Sequence, residues 1–177
     1  MGNIIALFSS SRRNGNTGQL MDRVAGELGI ELIDLANYNF SDFDYDHKNK
    51  DDDFYPLMCK VLEHDHIIFS SPVYWYAVTP SMKRFLDRIS DFLTFPHLLN
   101  QGRQLRGKTG YVVCTSITEF VSDSYLNAFK ETFEYLGMNY GGHIHSDCSN
   151  GYHPELQENE IQNFISSVGR KAIPAIM

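Results

Sequence analysis

Cysteine is scarce. The chain has three, Cys59, Cys114 and Cys148, too few, too far apart and odd in number for a disulfide framework. No CxxC spacing occurs, so a cysteine-based metal site is not expected either. Positive charge is also in short supply, 15 Lys and Arg against 22 Asp and Glu for a formal net charge of −7. A phosphate backbone is held by clustered cations, so a nucleic-acid surface is excluded as an expectation. No apolar run approaches the length that crosses a bilayer, and no basic stretch followed by an apolar core opens the sequence. These absences point to a cytoplasmic protein that acts on small molecules without nucleic-acid or membrane partners. Repeats, low-complexity linkers and composition breaks are absent too, so residues 1–177 are expected to form one domain.

What the sequence does have is a regular alternation of short apolar runs and amphipathic stretches. Residues 3–8 (NIIALF), 30–35 (IELIDL), 67–71, 110–115 (GYVVCT) and 138–145 (MNYGGHIH) read as strands. Helical spacing recurs over 17–28, 54–64, 121–136 and 155–168. It is clearest after Thr79-Pro80, where Met82, Phe85, Leu86, Ile89 and Leu93 form a stripe and Lys83, Arg84, Asp87 and Arg88 are expected to face away. Strands that alternate with helices imply βαβ units, hence an α/β protein whose parallel sheet carries helices on both faces. The segment 36–53 has no usable period. It mixes Tyr38, Phe40, Phe43 and Tyr45 with many acids, and reads either as a cover over a ligand or partner or as an insertion whose rings pack locally.

Two segments carry chemistry. Ser9-Ser10-Ser11-Arg12-Arg13-Asn14-Gly15-Asn16-Thr17 joins the first strand to the first helix, where free backbone N–H groups and the positive end of the helix dipole suit an anion. It is not a P-loop, because no Lys precedes Lys48, and it is not a Gly-x-Gly-x-x-Gly dinucleotide loop. A hydroxyl-rich loop of this kind suits one terminal phosphate, with Arg12 or Arg13 adding a charge-assisted contact. Pro72-Val73-Tyr74-Trp75-Tyr76 follows the third strand and is too aromatic for an ordinary turn, so it suits a flat ring. In an open parallel sheet the ligand sits beyond the carboxyl ends of the strands, which adds Thr115 and Ser116 to the same edge. His143, His145, Cys148 and His153 lie close in sequence but match no recurrent zinc spacing, so no metal is expected.

Together SSSRRNGNT and SPVYWYAVTPSMKRFLDR resemble the flavodoxin-like NAD(P)H-dependent FMN reductases, the relatives of quinone, azo-dye and chromate reductases. Ser10, Arg12, Asn16 and Thr17 match the family's phosphate segment, and Ser9 stands where the family usually has Gly. The resemblance implies a five-stranded parallel sheet in the order 2-1-3-4-5. It also implies FMN as cofactor, NADPH or NADH as reductant, and a quinone, nitroaromatic, azo compound or flavin as small-molecule acceptor. It places Ser9, Ser10, Ser11, Arg12, Asn16 and Thr17 at the FMN phosphate, and Pro72, Val73, Tyr74, Trp75, Tyr76, Thr115 and Ser116 near the ring. No catalytic side chain is required, since the flavin carries the redox step. A homodimer or homotetramer is implied as well. The compact cysteine cluster of iron-sulfur relatives is missing. Two other functions suit the same fold: a flavodoxin-type electron carrier whose acidic surface docks partners, and a regulatory module that has lost the cofactor.

Overall fold

The structure is a computed structural model that describes residues 3–172. Five strands, β1 (Ile4–Phe8), β2 (Glu31–Asp34), β3 (His66–Ser70), β4 (Thr109–Ser116) and β5 (Asn139–Asp147), form one all-parallel sheet in the order β2-β1-β3-β4-β5. This is the flavodoxin-like order that the resemblance implies. Among the described residues six α-helices lie between the strands, α1 (Asn16–Leu28), α2 (Phe54–Leu62), α3 (Pro80–Arg88), α4 (Asp91–Thr94), α5 (Leu99–Gly102) and α6 (Asp123–Leu136), and α7 (Glu158–Ala172) follows the last strand.

Central strands must be apolar on both faces, and β1 divides its residues between two cores. Ile5 and Leu7 pack with Phe54 and Leu57 of α2, Phe85 of α3 and Phe129 and Phe133 of α6. Ile4, Ala6 and Phe8 point the other way, onto Leu20, Met21 and Val24 of α1 and Ile161 and Phe164 of α7. The helical stripes therefore follow from the sheet: each covers one face of the same strands.

The stripe expected to run from Met82 to Leu93 is interrupted. Ile89 and Ser90 donate to carbonyls three residues back, at Leu86 and Asp87, so the helix tightens and ends at Arg88 before α4 begins. Arg88 does not face away, as charge patterning predicted, but is 1% exposed. Its Nη1 lies 2.5 Å from Asp52 Oδ2 and its Nε 2.8 Å from Asp91 Oδ2, and the guanidinium stands 4.7 Å from the centre of the Phe54 ring. The same Nη1 donates to the Ser41 carbonyl. Segment 36–53 is thereby pinned to the body of the fold. Phe40, its buried ring, is held between Phe54 and Phe85.

Burial works against the charge on Asp52. The Arg88 hydrogen bonds and the N–H groups of Phe54 and Ser41 outweigh it and hold the carboxyl below its ordinary value. A depressed carboxyl contributes stability that is present above the unfolded value of about 3.9 and is lost as pH falls through the lower folded one. Arg88→Met strips both carboxylates of their partner and should lower the unfolding free energy by about 3–5 kcal/mol in urea denaturation at pH 7. Adding Asp52→Asn and Asp91→Asn to that variant should recover part of the loss.

Candidate functional site

A crevice of about 230 Å³ opens at the carboxyl edge of the sheet, beside the point where strand order reverses between β1 and β3. Residues from three connections line it: Ser10, Arg12, Gly15, Asn16 and Thr17 after β1, Pro72, Val73 and Tyr74 after β3, and Thr115, Ser116 and Ile117 at the end of β4. Cys148, just past β5, closes the far side.

Hydroxyl contacts lock these connections together. Ser9 Oγ lies 2.5 Å from Thr79 Oγ1, Thr17 Oγ1 lies 2.6 Å from Thr115 Oγ1, and Tyr74 donates its phenol to Ser11 Oγ at 3.0 Å. The segment after β3 stays paired with β4 through Ser71 N–H to Val113 O and Val73 N–H to Thr115 O. Tyr125 of α6 donates to the Ser71 carbonyl at 2.7 Å from below. Thr79 caps α3 by accepting from the Met82 N–H. The floor is built before any ligand arrives.

The β1 end of the crevice is suited to an anion. Gly15 occupies the position before α1, no side chain caps the helix there, and the first turn contains no acid. Among the described residues the N–H groups of Asn16, Thr17 and Gly18 have no backbone acceptor. The two arginines divide their duties. Arg13 spends its guanidinium on Asp22 at 2.5 Å, with Asp34 at 3.9 Å, and covers the Phe8 ring. Arg12 has no ion-pair partner among the described residues and lines the crevice. Gly18, rather than Gly15, is the glycine the loop depends on. A Cβ there would sit 1.8 Å from the Arg13 carbonyl oxygen, whereas Gly15 has an ordinary extended backbone with φ −76°.

The aromatic loop is split by its backbone. Tyr74 and Ala77 exchange both N–H to O=C hydrogen bonds, at 2.8 and 3.0 Å, around a two-residue turn. Its central residues, Trp75 and Tyr76, take φ of +49° and +64°. This is a primed hairpin turn that ordinarily calls for Asn and Gly. Tyr74 faces the crevice, while Trp75 is 95% and Tyr76 67% exposed. The structure therefore brings Ser10, Arg12, Asn16, Thr17, Pro72, Val73, Tyr74, Thr115 and Ser116 together. Ser9 and Ser11 turn their hydroxyls to Thr79 and Tyr74, and Trp75 and Tyr76 stand outside on the rim. Gly15, Ile117 and Cys148 were not among the expected site residues. Cys148 escaped because β5 runs two residues beyond the expected end at His145.

The cysteines near the crevice are buried. Burial pushes the Cys114 thiol up to about 12 and the Cys148 thiol up to about 11, so neither is a thiolate at neutral pH. His143 contacts the Tyr140 phenol, His145 contacts Ser116, and His153 contacts Glu155. Among the described residues no group of three His, Cys, Asp or Glu is arranged to hold a metal.

Comparison with known proteins reaches the same sequence segments. The profile of the NADPH-dependent FMN reductase family matches residues 3–150. A Bacillus subtilis protein named as an NAD(P)H-dependent FMN-containing oxidoreductase, YwqN, is 24% identical over 149 residues, 80% of this chain and 82% of that one. Among solved structures, the Trp repressor binding protein of Bacillus subtilis superposes with TM-score 0.68 at 21% identity, over 98% of this chain and 99% of the other. The FMN-dependent NADH-azoreductase of Bacillus anthracis, solved with FMN, gives 0.71 at 12% identity over 96% and 99%. At those identities the structural likeness speaks for the fold.

Left-handed backbone at non-glycine residues costs about 1–2 kcal/mol each. Trp75→Asn combined with Tyr76→Gly should therefore raise the unfolding free energy by about 1–3 kcal/mol in denaturant melts. An unchanged or lower midpoint would mean that the rim rings make stabilising contacts their exposure does not reveal.

Proposed function

We propose, for a chain that belongs to the NADPH-dependent FMN reductase family, that the crevice between α1 and the Tyr74 loop holds the FMN of an NAD(P)H-dependent oxidoreductase acting on a small acceptor. The acceptor is a quinone, nitroaromatic, azo compound or free flavin, and the chain works as one FMN-binding domain. The observation that carries this reading is the uncapped start of α1, with unpaired N–H groups beside an arginine free of carboxylates, facing a slot walled by Tyr74. That donor set fits a phosphate monoester at one end and a flat, partly polar ring at the other.

When bound, FMN supplies a two-electron carrier between reduced nicotinamide and acceptor. The chain's own residues bind and orient. The first-turn N–H groups, the Ser10 hydroxyl and Arg12 take the phosphate, and Asn16 and Thr17 set where the chain of the ligand enters. Pro72, Val73 and Tyr74 bound one side of the ring slot, with Thr115, Ser116 and Ile117 on the other. Ser116, which lines the crevice, would bring its hydroxyl to the polar edge, where a donor stabilises added negative charge. Trp75 and Tyr76, on the rim, are positioned to meet the second substrate or a neighbouring subunit, and exposed Ile117 and Phe120 extend the same apolar rim. That rim supports a homodimer or homotetramer.

The electron-carrier reading is weaker in this geometry. The acids of 42–53 that would dock a partner are partly spent within the chain: Asp42 on Arg84, Asp46 on Lys48 and Asp52 on Arg88. A cytoplasmic location agrees with the free thiols, and among the described residues no helix is long and apolar enough to cross a membrane.

Protein reconstituted with FMN should lose its visible flavin absorbance when NADPH or NADH is added without oxygen, and an acceptor should restore it. A carrier would stay yellow until a partner reductase is supplied, and a cofactor-free module would not retain FMN. Arg12→Ala should weaken FMN about 10-fold or more while leaving riboflavin binding unchanged, because only the phosphate contact is lost. Equal losses for both flavins would remove the phosphate from this end of the crevice.

A further inference from the structure

His145 does not itself line the crevice. It stands on β5 opposite Cys114 of β4, and its imidazole reaches to the end of β4, where Nε2 lies 2.7 Å from Ser116 Oγ. Ser116 lines the crevice.

The other hydrogen bonds of Ser116 give this contact a consequence. A hydroxyl has one proton to donate and two lone pairs. Thr118 N–H takes one lone pair at 3.2 Å. Thr118 Oγ1, 2.9 Å from Ser116 Oγ, gives its own proton to the Phe120 carbonyl and so can only accept from Ser116, as can the Thr118 carbonyl at 3.2 Å. One lone pair and one proton remain, and His145 decides between them. With its proton on Nδ1, the neutral ring offers Nε2 as an acceptor, and the Ser116 proton turns to it and away from the crevice. The imidazolium can only donate. It fills the second lone pair, and the Ser116 proton is released to Thr118 or to an oxygen in the crevice.

We propose that His145 is a positioning residue that sets the direction of the Ser116 proton, so that charging the ring makes Ser116 a hydrogen-bond donor to an oxygen of the bound flavin mononucleotide. This rests on the FMN reading. The groups around the ring permit the switch. Half-burial lowers the His145 pKa, Asp147 on the same strand opposes this, and His143 adds to it. From β4 the facing Cys114 is an un-ionised thiol. From α6, Tyr125 is held neutral by burial, and Lys130 sits over the Tyr140 ring and acts on His143. His145 Nδ1 has no hydrogen-bond partner among the described residues, so the ring can exchange protons with water. At pH 7 the ring is neutral, and it charges as pH falls below its ordinary value of about 6.5.

Linkage makes the test reciprocal: a proton that favours the ligand is itself held more tightly once the ligand is bound. Histidine-labelled protein should show the His145 titration, read by NMR, moving to higher pH on FMN addition. In parallel, FMN dissociation constants from fluorescence quenching between pH 5.5 and 8 should tighten in acid about 5-fold more for the unmodified protein than for Ser116→Ala or His145→Leu. The phosphate of FMN titrates in the same range, with a second pKa of about 6 expected by analogy with phosphorylated side chains, but equally in all variants. His145→Gln, whose amide N–H can donate without titrating, should bind at the acid-form affinity with that extra pH dependence removed. An unmoved His145 titration, or parallel pH profiles in the unmodified protein and His145→Leu, would overturn the proposal while leaving FMN binding intact. Failure of the unmodified protein to bind FMN at any pH would overturn this proposal and the FMN reading together.

Discussion

Three hydroxyl contacts at the carboxyl edge of the sheet, Ser9 to Thr79, Ser11 to Tyr74 and Thr17 to Thr115, are the constraint on which the rest of the site depends. Where strand order reverses, the connections leaving β1 and β3 diverge to opposite faces, and a gap opens that no regular ladder can close. Apolar side chains could fill such a gap but would leave no polar wall for a ligand. Hydroxyls do both, because each can hold a neighbouring loop with one hydrogen bond and keep a lone pair or proton in reserve. A buried hydrogen bond of this kind contributes only about 1 kcal/mol, yet losing one partner strands the other, so the loops are held in register more firmly than that figure implies. The same double use recurs at Ser116, held by Thr118 and His145 while it faces the crevice.

Most of the fold was legible because its signal is local. Apolar runs at β1, β3 and β4 and stripes on α1, α2 and α6 follow from burial of both faces of one sheet, and nothing beyond a few neighbours is needed to see them. The loop proposed to hold the phosphate was legible for the same reason: a strand, a hydroxyl-rich loop and a helix start are adjacent in sequence. What was not legible depends on distant partners. Arg88 sits among charged residues and reads as an outward position, and burial of its charge becomes tolerable when the fold brings Asp52 and the Ser41 carbonyl to join Asp91, three residues on. Ser9 reads as a ligand donor, but Thr79, seventy residues on, claims its hydroxyl. The turn at Trp75-Tyr76 lacks the Asn-Gly that marks such turns, so the separation of Tyr74 from its two neighbours had no local signal.

That turn is a local rule broken without a visible gain in stability. Neither ring is buried, and both backbones are left-handed, so the folded chain would be better served by smaller residues there. Strain of this kind persists where something other than the isolated fold benefits. Here it holds two exposed aromatic rings on the residues that follow Tyr74, which lines the crevice.

A chain with seven excess negative charges is an unpromising host for a phosphate, and the layout of its arginines resolves the difficulty. Screening confines exposed charges to about 8 Å at physiological ionic strength, so the anion responds to its immediate surroundings rather than to the net charge. Asp22 and Asp34 lie beside the loop, and Arg13 pairs with Asp22 at 2.5 Å and stands 3.9 Å from Asp34, so its single positive charge offsets part of theirs. This pairing leaves Arg12 and the open end of α1 as the uncompensated positive groups around the loop. The consecutive arginines are therefore not redundant: one offsets part of the local repulsion, and the other, free of carboxylates, would attract together with the helix end.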